Sequence, residues 1–458
     1  MTNRTSRVWK WSVCLPVVGA SLAVTTLVVR AADVDSPWSE PIVVFRTTGL
    51  AARPVLTADA QGDVHLFFAF GGTSGQPARA LMYARLHGAS WSDPVEVLAT
   101  PKGGTLNFPA ATSDGRGLLH VLWQGGPLNR IYYSSAAVAE AASPNRWSAT
   151  RPLSEGGAFG GGLGSDIVTG PDDSLHVLYA SLGGNVYYRR STDAGNRWSE
   201  SVRVSQVGTS EATDYPRVAV DESGCLHATW TQFRLPNGWP PTGGFYSQSV
   251  DGGQTWSPPL EVAGENYGIV NVAAVGADRV HLVWNAVIRI GDRLHQWSSD
   301  GGRSWSDVHR IILDLKGGFT GYPAVAIDAA GTLHLATGLD GAAGKQGGIY
   351  YLMWREHDWT DPSPISQGAV GKTAVDSPSV TVSGGNHLHV VYADDSERIW
   401  YTSRIADAPS NPPRQFSTTD HGHPSSQSWY PLGRLGIAVP LIAAVILIFR
   451  RFFSRPAR

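Results

Sequence analysis

The chain has 458 residues, 42% of them apolar and only 16% charged, with a formal net charge of −2, 52 glycines and 17 tryptophans. A near-neutral chain with no basic run through its middle excludes an electrostatic nucleic-acid surface, and a glycine-rich, charge-poor composition favours short strands and turns over helices. With only Cys14 and Cys225, a disulfide framework is also excluded.

In chain order, Arg4, Arg7 and Lys10 precede an apolar run ending near Val29, and Ala31-Ala32 follow. This reads as a secretory signal over residues 1–32, with an uncleaved anchor as the alternative. Residues 33–405 repeat. Trp38, Trp91, Trp147, Trp198, Trp256, Trp305 and Trp359 recur every 49 to 58 residues, each followed by Ser or Thr. A second ladder places His65, His120, His176, His227, His281, His334 and His389 in apolar phrases such as LHVLW and LHVVY. A third is a short aromatic strand, as in IYYSS from Ile131 and VYYRRS from Val186. Each unit reads as four antiparallel strands, the blade of a β-propeller. The last unit lacks a Trp-Ser strand, and Trp38 begins one that has no unit before it. The expectation is an all-β, seven-bladed β-propeller closed by its N-terminal outer strand, which leaves no open edge.

Residues 406–428, rich in Pro and Ser, read as a flexible stalk. Residues 429–450, containing LGIAVPLIAAVILIF, read as a transmembrane helix, and 451–458 as a basic cytoplasmic tail. These elements predict an exported, extracytoplasmic propeller anchored in the cell membrane by its C-terminal helix.

Three turns share the pattern Ser-x-Asp-x-Gly-x-x-Trp: Ser191, Asp193, Gly195, Trp198; Ser249, Asp251, Gly253, Trp256; and Ser298, Asp300, Gly302, Trp305. The pattern resembles the Asp box of the sialidase-like (BNR-repeat) propeller superfamily. Asp accepting turn N–H groups, Gly supplying positive φ and Trp packing between blades make it a structural device. The resemblance implies that the boxes face away from the functional end. The seven histidines occupy equivalent places on different blades, so they read as core or inter-strand hydrogen-bonding residues. No metal and no cofactor are expected.

The opposite loops hold the candidates. Arg53, Asn107, Asp166, Tyr215, Arg217, Asn271 and Asp376 lie about the starts of the inner strands and are predicted to bind ligand at the channel mouth. Trp239, in a long second-to-third-strand loop, suits stacking on a sugar. If the site is catalytic, Asp214 or Glu211 serves as general acid and Tyr322 as nucleophile or positioner, with Arg53 and Arg217 holding an anionic group. The resemblance implies a glycan-active protein, hydrolytic as in sialidases. However, Ala52-Arg53-Pro54 stands where the family has an Arg-Ile-Pro phrase. On a regular strand that moves the Arg53 side chain to the other face. Seven-bladed Asp-box rings also resemble non-catalytic assembly factors and lectins, so a non-enzymatic glycan- or protein-binding propeller is the alternative. The partner expected is a glycan or glycoconjugate; the sequence leaves turnover and oligomeric state open.

Overall fold

The computed structural model describes residues 38–411 apart from 72–76, 101–103, 156–163, 182–183, 237, 239, 287–291, 312–321, 340–347, 356, 367–375 and 395–396. These residues form seven antiparallel sheets. Each blade starts with an inner strand, and these are Leu50–Ala58, Leu106–Ser113, Ser165–Thr169, Glu211–Val220, Tyr267–Val275, Ala324–Ile327 and Asp376–Ser383. The histidine strand pairs with it, the aromatic strand pairs with that, and a short outer strand ends the blade. The seventh sheet takes its outer strand, Ile42–Arg46, from the start of the chain, paired from Ile42 opposite Tyr401 to Arg46 opposite Arg398 with one register shift between Val43 and Phe45. The ring closes as the unpaired Trp-Ser phrase at Trp38 predicts.

The repeated residues explain why the blades stack. Each ladder histidine is buried, and its Nδ1 meets an aromatic-strand side chain of its own blade. Six meet a tyrosine hydroxyl at 2.7–2.9 Å: His65 with Tyr83, His120 with Tyr133, His176 with Tyr188, His227 with Tyr246, His334 with Tyr351 and His389 with Tyr401. In the fifth blade His281 meets His295 at 3.0 Å instead. The pairs satisfy polar atoms that would be costly to bury alone. Each ladder tryptophan then packs edge-on against an aromatic ring of the preceding blade. Trp198 lies 5.2 Å from Tyr133, Trp256 5.4 Å from Tyr188, Trp305 4.9 Å from Tyr246, and Trp38 5.1 Å from Tyr351. Trp91 closes the ring against Tyr401 at 5.1 Å, a contact between the first blade and the seventh. Trp147 is the variant, meeting Phe67 rather than Tyr83.

The Asp boxes sit between third and fourth strands and bond within themselves, to the neighbouring blade and, at Gly301, to Asp278 of their own blade. Ser249 donates its hydroxyl to Asp251 and accepts the Gly253 N–H at 2.9 Å, while Asp251 accepts the Thr255 N–H at 2.9 Å. Gly253 has φ +90°, and a Cβ there would fall within the ring of Tyr188. Gly195 and Gly302 stand in the same relation to Tyr133 and Tyr246.

Residues 406–411, at the start of the expected stalk, hydrogen-bond back to the seventh blade: Ala406 N–H to the Asn386 carbonyl, and Asn411 N–H to that of Gly384 at 2.7 Å. The expected signal peptide (1–32), the transmembrane helix (429–450), the tail (451–458) and the rest of the stalk lie outside the described residues. Among the described residues no helix is long and apolar enough to cross a membrane.

Candidate functional site

The inner strands are not regular. In five of them the pairing register shifts, between Ala52 and Val55, Asn107 and Ala110, Asp214 and Arg217, Gly268 and Asn271, and Asp376 and Ser379. In the first four, one residue inside the shift takes a left-handed backbone: Arg53 at φ +54°, Phe108 at +49°, Tyr215 at +54° and Ile269 at +59°. Gly164 has φ +94° at the matching place in the third blade. Three of these residues precede a proline, Pro54, Pro109 and Pro216, which lacks the N–H a ladder would use. A bulge re-aims a side chain, and bulky non-glycine residues at positive φ cost of order 1–3 kcal/mol each. Such strain repeated around one end of a ring marks that end.

The bulges surround a cavity of about 320 Å³ whose lining is drawn from all seven inner strands. Its charged lining residues are Arg53, Arg217 and Asp166, and its polar and aromatic ones include Phe108, Tyr215, Asn271 and Tyr322. The Arg53 guanidinium lies over the Phe108 ring at 3.9 Å. Tyr215 meets Phe108 edge-on at 6.0 Å and Tyr322 at 5.3 Å between ring centres. Tyr322 donates its hydroxyl to that of Tyr215 at 3.1 Å. Burial first, then Tyr322 and the charge of Asp214, push the Tyr215 hydroxyl well above its usual range, against Arg53. Tyr215 is therefore a neutral phenol, fit to donate a hydrogen bond rather than to attack.

Asp166 does a different job from its neighbours. Its carboxylate accepts N–H groups from Ile167 at 3.1 Å and, on the next blade, from Val218 at 3.0 Å. Ser379 clasps Leu56 of the following blade in the same way at 3.0 Å. Burial raises the Asp166 pKa, and Arg217 and the two amides oppose the rise.

The expected residues fall into groups. Arg53, Asp166, Tyr215, Arg217, Asn271 and Tyr322 share the cavity. The expected departure of Arg53 is corrected: the bulge breaks strand alternation and carries its side chain to the channel. Asn107 is displaced from the lining by Phe108, which occupies the bulge, and Asn107 instead donates to Thr105 at 3.2 Å. Asp214 and Glu211 are also outside the lining. Asp214 pairs across the strand with Thr231, and Glu211 accepts the Gly208 N–H at 3.3 Å. Asp376 contributes backbone pairing with Ala393, and its side chain lies outside the description, as does Trp239. Phe108 is the residue that sequence reasoning missed. Its signal was the dipeptide Phe108-Pro109, the counterpart of Arg53-Pro54 and Tyr215-Pro216.

No family model matches the sequence, and no curated protein matches it. Solved structures do. An ulvan lyase of polysaccharide lyase family PL25, bound to a GlcA(1-4)Rha3S unit, superposes with TM-score 0.53 at 11% identity, over 80% of this chain and 96% of that one. A protein of unknown function from Dyadobacter fermentans gives TM-score 0.50 at 16% identity, over 70% and 98%. The NanB sialidase of Streptococcus pneumoniae gives 0.46 at 12% identity, over 81% and 70%. The fold shared with these structures is a β-propeller. Identities this low carry the fold alone.

Proposed function

We propose that the channel mouth binds an anionic saccharide unit, such as a uronate or a sulfated sugar. The observation that carries this reading is the pairing of two cations, Arg53 and Arg217, with the aromatic wall of Phe108, Tyr215 and Tyr322 in one cavity. Guanidinium groups take carboxylates and sulfates through charge-assisted hydrogen bonds, and aromatic faces pack against sugar rings. The one carboxylate of the described lining, Asp166, is engaged with two backbone amides and with the charge of Arg217, so the lining sets two cations against one carboxylate. That an ulvan lyase of similar fold is described bound to a glucuronate–sulfated rhamnose unit agrees with this ligand class. We further propose that the propeller works outside the cell membrane, held by the apolar run Leu435 to Phe449.

Binding is favoured over hydrolysis. The expected hydrolase needs a general acid, Asp214 or Glu211, beside Tyr322 at the scissile bond, and neither is in the described lining with Tyr322. The test is isothermal titration of the purified protein against uronate-containing, sulfated, sialylated and neutral oligosaccharides, with product analysis of each mixture. Binding of the acidic sugars that weakens with salt supports the reading. Equal binding of neutral sugars, or none of any, sinks it, and product formation would replace binding by turnover.

A further inference from the structure

Four blades repeat one local arrangement on the Asp-box face. An aspartate six residues before the ladder histidine faces its Nε2: Asp59 with His65 at 3.2 Å, Asp114 with His120 at 3.2 Å, Asp328 with His334 at 3.0 Å, and Asp221 with His227 at 3.5 Å. The first three separations are those of a hydrogen bond or nearly so. The fourth, in blade four, is too long for one. There His227 is fully buried and its Nε2 has no hydrogen-bond partner, a state it shares with His120 Nε2 of blade two, so that blade four stands apart by its longer separation and by what lies beside it.

That blade also differs in chemistry. The residue two before the histidine is Asp63, Leu118 and Thr332 in the other three blades, but Cys225 here. The Cys225 thiol, the Asp221 carboxylate and His227 Nε2 all lie within 4.8 Å of one another. We propose that Asp221, Cys225 and His227 form a binding site for Zn²⁺ or a cation of its class. Zinc takes thiolate at about 2.3 Å and imidazole or carboxylate at about 2.0–2.2 Å. In a tetrahedron those bonds set a nitrogen-to-oxygen separation of about 3.4 Å, close to the Asp221–His227 spacing and unlike a hydrogen bond. The sequence spacing Asp-x-x-x-Cys-x-His serves the geometry. The turn returns Asp221 over the strand, and Cys225 and His227 share one strand face.

The surroundings fit a metal ligand set. The His227 Nδ1 hydrogen-bonds the Tyr246 hydroxyl at 2.8 Å, and that hydroxyl donates onward to Gln248 at 3.4 Å. With Nδ1 as the donor, the Nε2 lone pair is free for a cation, the outer-shell pattern of metal-bound histidines. The carboxylate is also prepared: Asp221 accepts N–H groups from Ser223 at 2.9 Å and Cys225 at 2.8 Å through Oδ1, leaving Oδ2 toward His227. A cavity of about 320 Å³, lined by Asp221, Cys225, Gln248, Asp278 and Arg303 among others, opens over the cluster and leaves room for a fourth ligand or a water. The seven histidines spread around the ring, and on that ground no metal was expected. This site uses only one of them.

The test is a Co²⁺ titration of the full chain after treatment with a chelator, followed by competition with Zn²⁺. The expected result is a thiolate-to-cobalt band in the near ultraviolet, with visible bands of four-coordinate cobalt, saturating at one ion per chain and bleached by Zn²⁺. The signal persists in Cys14→Ser and disappears in Cys225→Ser, whose circular dichroism stays that of the parent. Loss of an outer-shell partner alone costs 10–100-fold in affinity, so Cys225→Ser weakens Zn²⁺ binding by about 100-fold or more. Asp221→Asn weakens it without removing the thiolate band. A titration with no thiolate band overturns the proposal. So does a band that survives Cys225→Ser, or Zn²⁺ affinity equal in parent and Cys225→Ser.

Discussion

Tyr322 donates its hydroxyl to Tyr215 at 3.1 Å, and the two residues come from the sixth and fourth blades. The contact spans the mouth, so the aromatic wall belongs to the closed ring rather than to any one blade. With Tyr322 as donor, the Tyr215 proton remains available to a ligand. Tyr215→Phe keeps the ring and removes that proton and the acceptor. A neutral hydrogen bond is worth about 0.5–1.5 kcal/mol, so affinity for an acidic oligosaccharide falls by roughly 2- to 10-fold with little change in melting temperature. Arg217→Gln removes a charged partner worth about 1.5–3 kcal/mol, and affinity falls by roughly 10- to 100-fold. Titration calorimetry of both variants checks the ranking; a larger loss from Tyr215→Phe than from Arg217→Gln contradicts it.

Arg53 holds φ +54° to reach the channel. Glycine adopts that backbone freely. Arg53→Gly therefore releases strain of order 1–3 kcal/mol and gives up the Arg53–Phe108 cation–π contact, worth about 0.5–2 kcal/mol. The expected outcome is a melting temperature at or above the parent's, together with lost binding of acidic sugars. Arg53→Ala loses the contact but keeps the strain, so it melts below Arg53→Gly. Calorimetric melting of the pair decides. If Arg53→Ala is the more stable of the two, the strain at Arg53 is not real.

Much of this was legible in the sequence because it repeats. Trp38 without a preceding unit and the last blade without an outer strand together fixed the closure at Ile42–Arg46. The Asp boxes announced themselves because Ser, Asp, Gly and Trp act within eight residues. The site was less legible. Register follows from alternation only while a strand stays regular, and the shifts at Arg53, Phe108 and Tyr215 break it where the ligand would sit. Alternation sent Arg53 away from the channel, and the choice of polar residues at the strand starts took Asn107 where Phe108 lines the cavity. The X-Pro dipeptides were visible, but a residue before proline reads as extended, and nothing local says that it turns left-handed. The cluster at Cys225 was hidden for another reason: its histidine belonged to a ladder already explained by packing.

The Asp boxes predict an acid-sensitive stability with a defined window. The hydroxyl of Thr255, its N–H and the Ser249 hydroxyl hold the Asp251 carboxyl at about 2, below the usual 3.8. The folded protein thus keeps this group ionised where the unfolded chain has taken up a proton. Stability from Asp251 is complete above about pH 4 and is lost as pH falls towards 2. Asp251→Asn shows a smaller decline in urea midpoint over that interval than the parent. Gly253→Ala is harsher at every pH, since it needs φ +90° and meets Tyr188, and its destabilisation exceeds that of Ser249→Ala in thermal melts. Equal declines for the parent and Asp251→Asn would remove the box from acid stability.

A second window lies at milder pH and belongs to the blades whose histidine has no aspartate six residues earlier. Those positions are Gly170, Val275 and Ser383, before His176, His281 and His389. Burial is the main cause that depresses these rings, with the charges of Arg190 and Arg279 adding to it for the first two. It holds His176 and His281 at about 4 and His389 at about 3, from the usual 6.5. Asp172 offsets only part of the effect at His176. In the unfolded chain each ring takes its proton near pH 6.5; in the folded chain it stays neutral until far lower. The unfolded state then binds more protons between, so stability is complete above about 6.5 and falls as pH drops towards 4, by at most about 1.4 kcal/mol per pH unit for each ring. This decline precedes the carboxylate window and is read from urea midpoints at pH 7.5 and 5. Ser383 already touches His389 Nε2 at 2.9 Å, so Ser383→Asp recreates the partnership of Asp59 with His65. A carboxylate there favours the imidazolium, raises the folded pKa of His389 towards its unfolded value, and flattens the decline between pH 7.5 and 5. Midpoints that are level across this range in the parent, or a decline as steep in Ser383→Asp, would show that these rings are not kept neutral by burial.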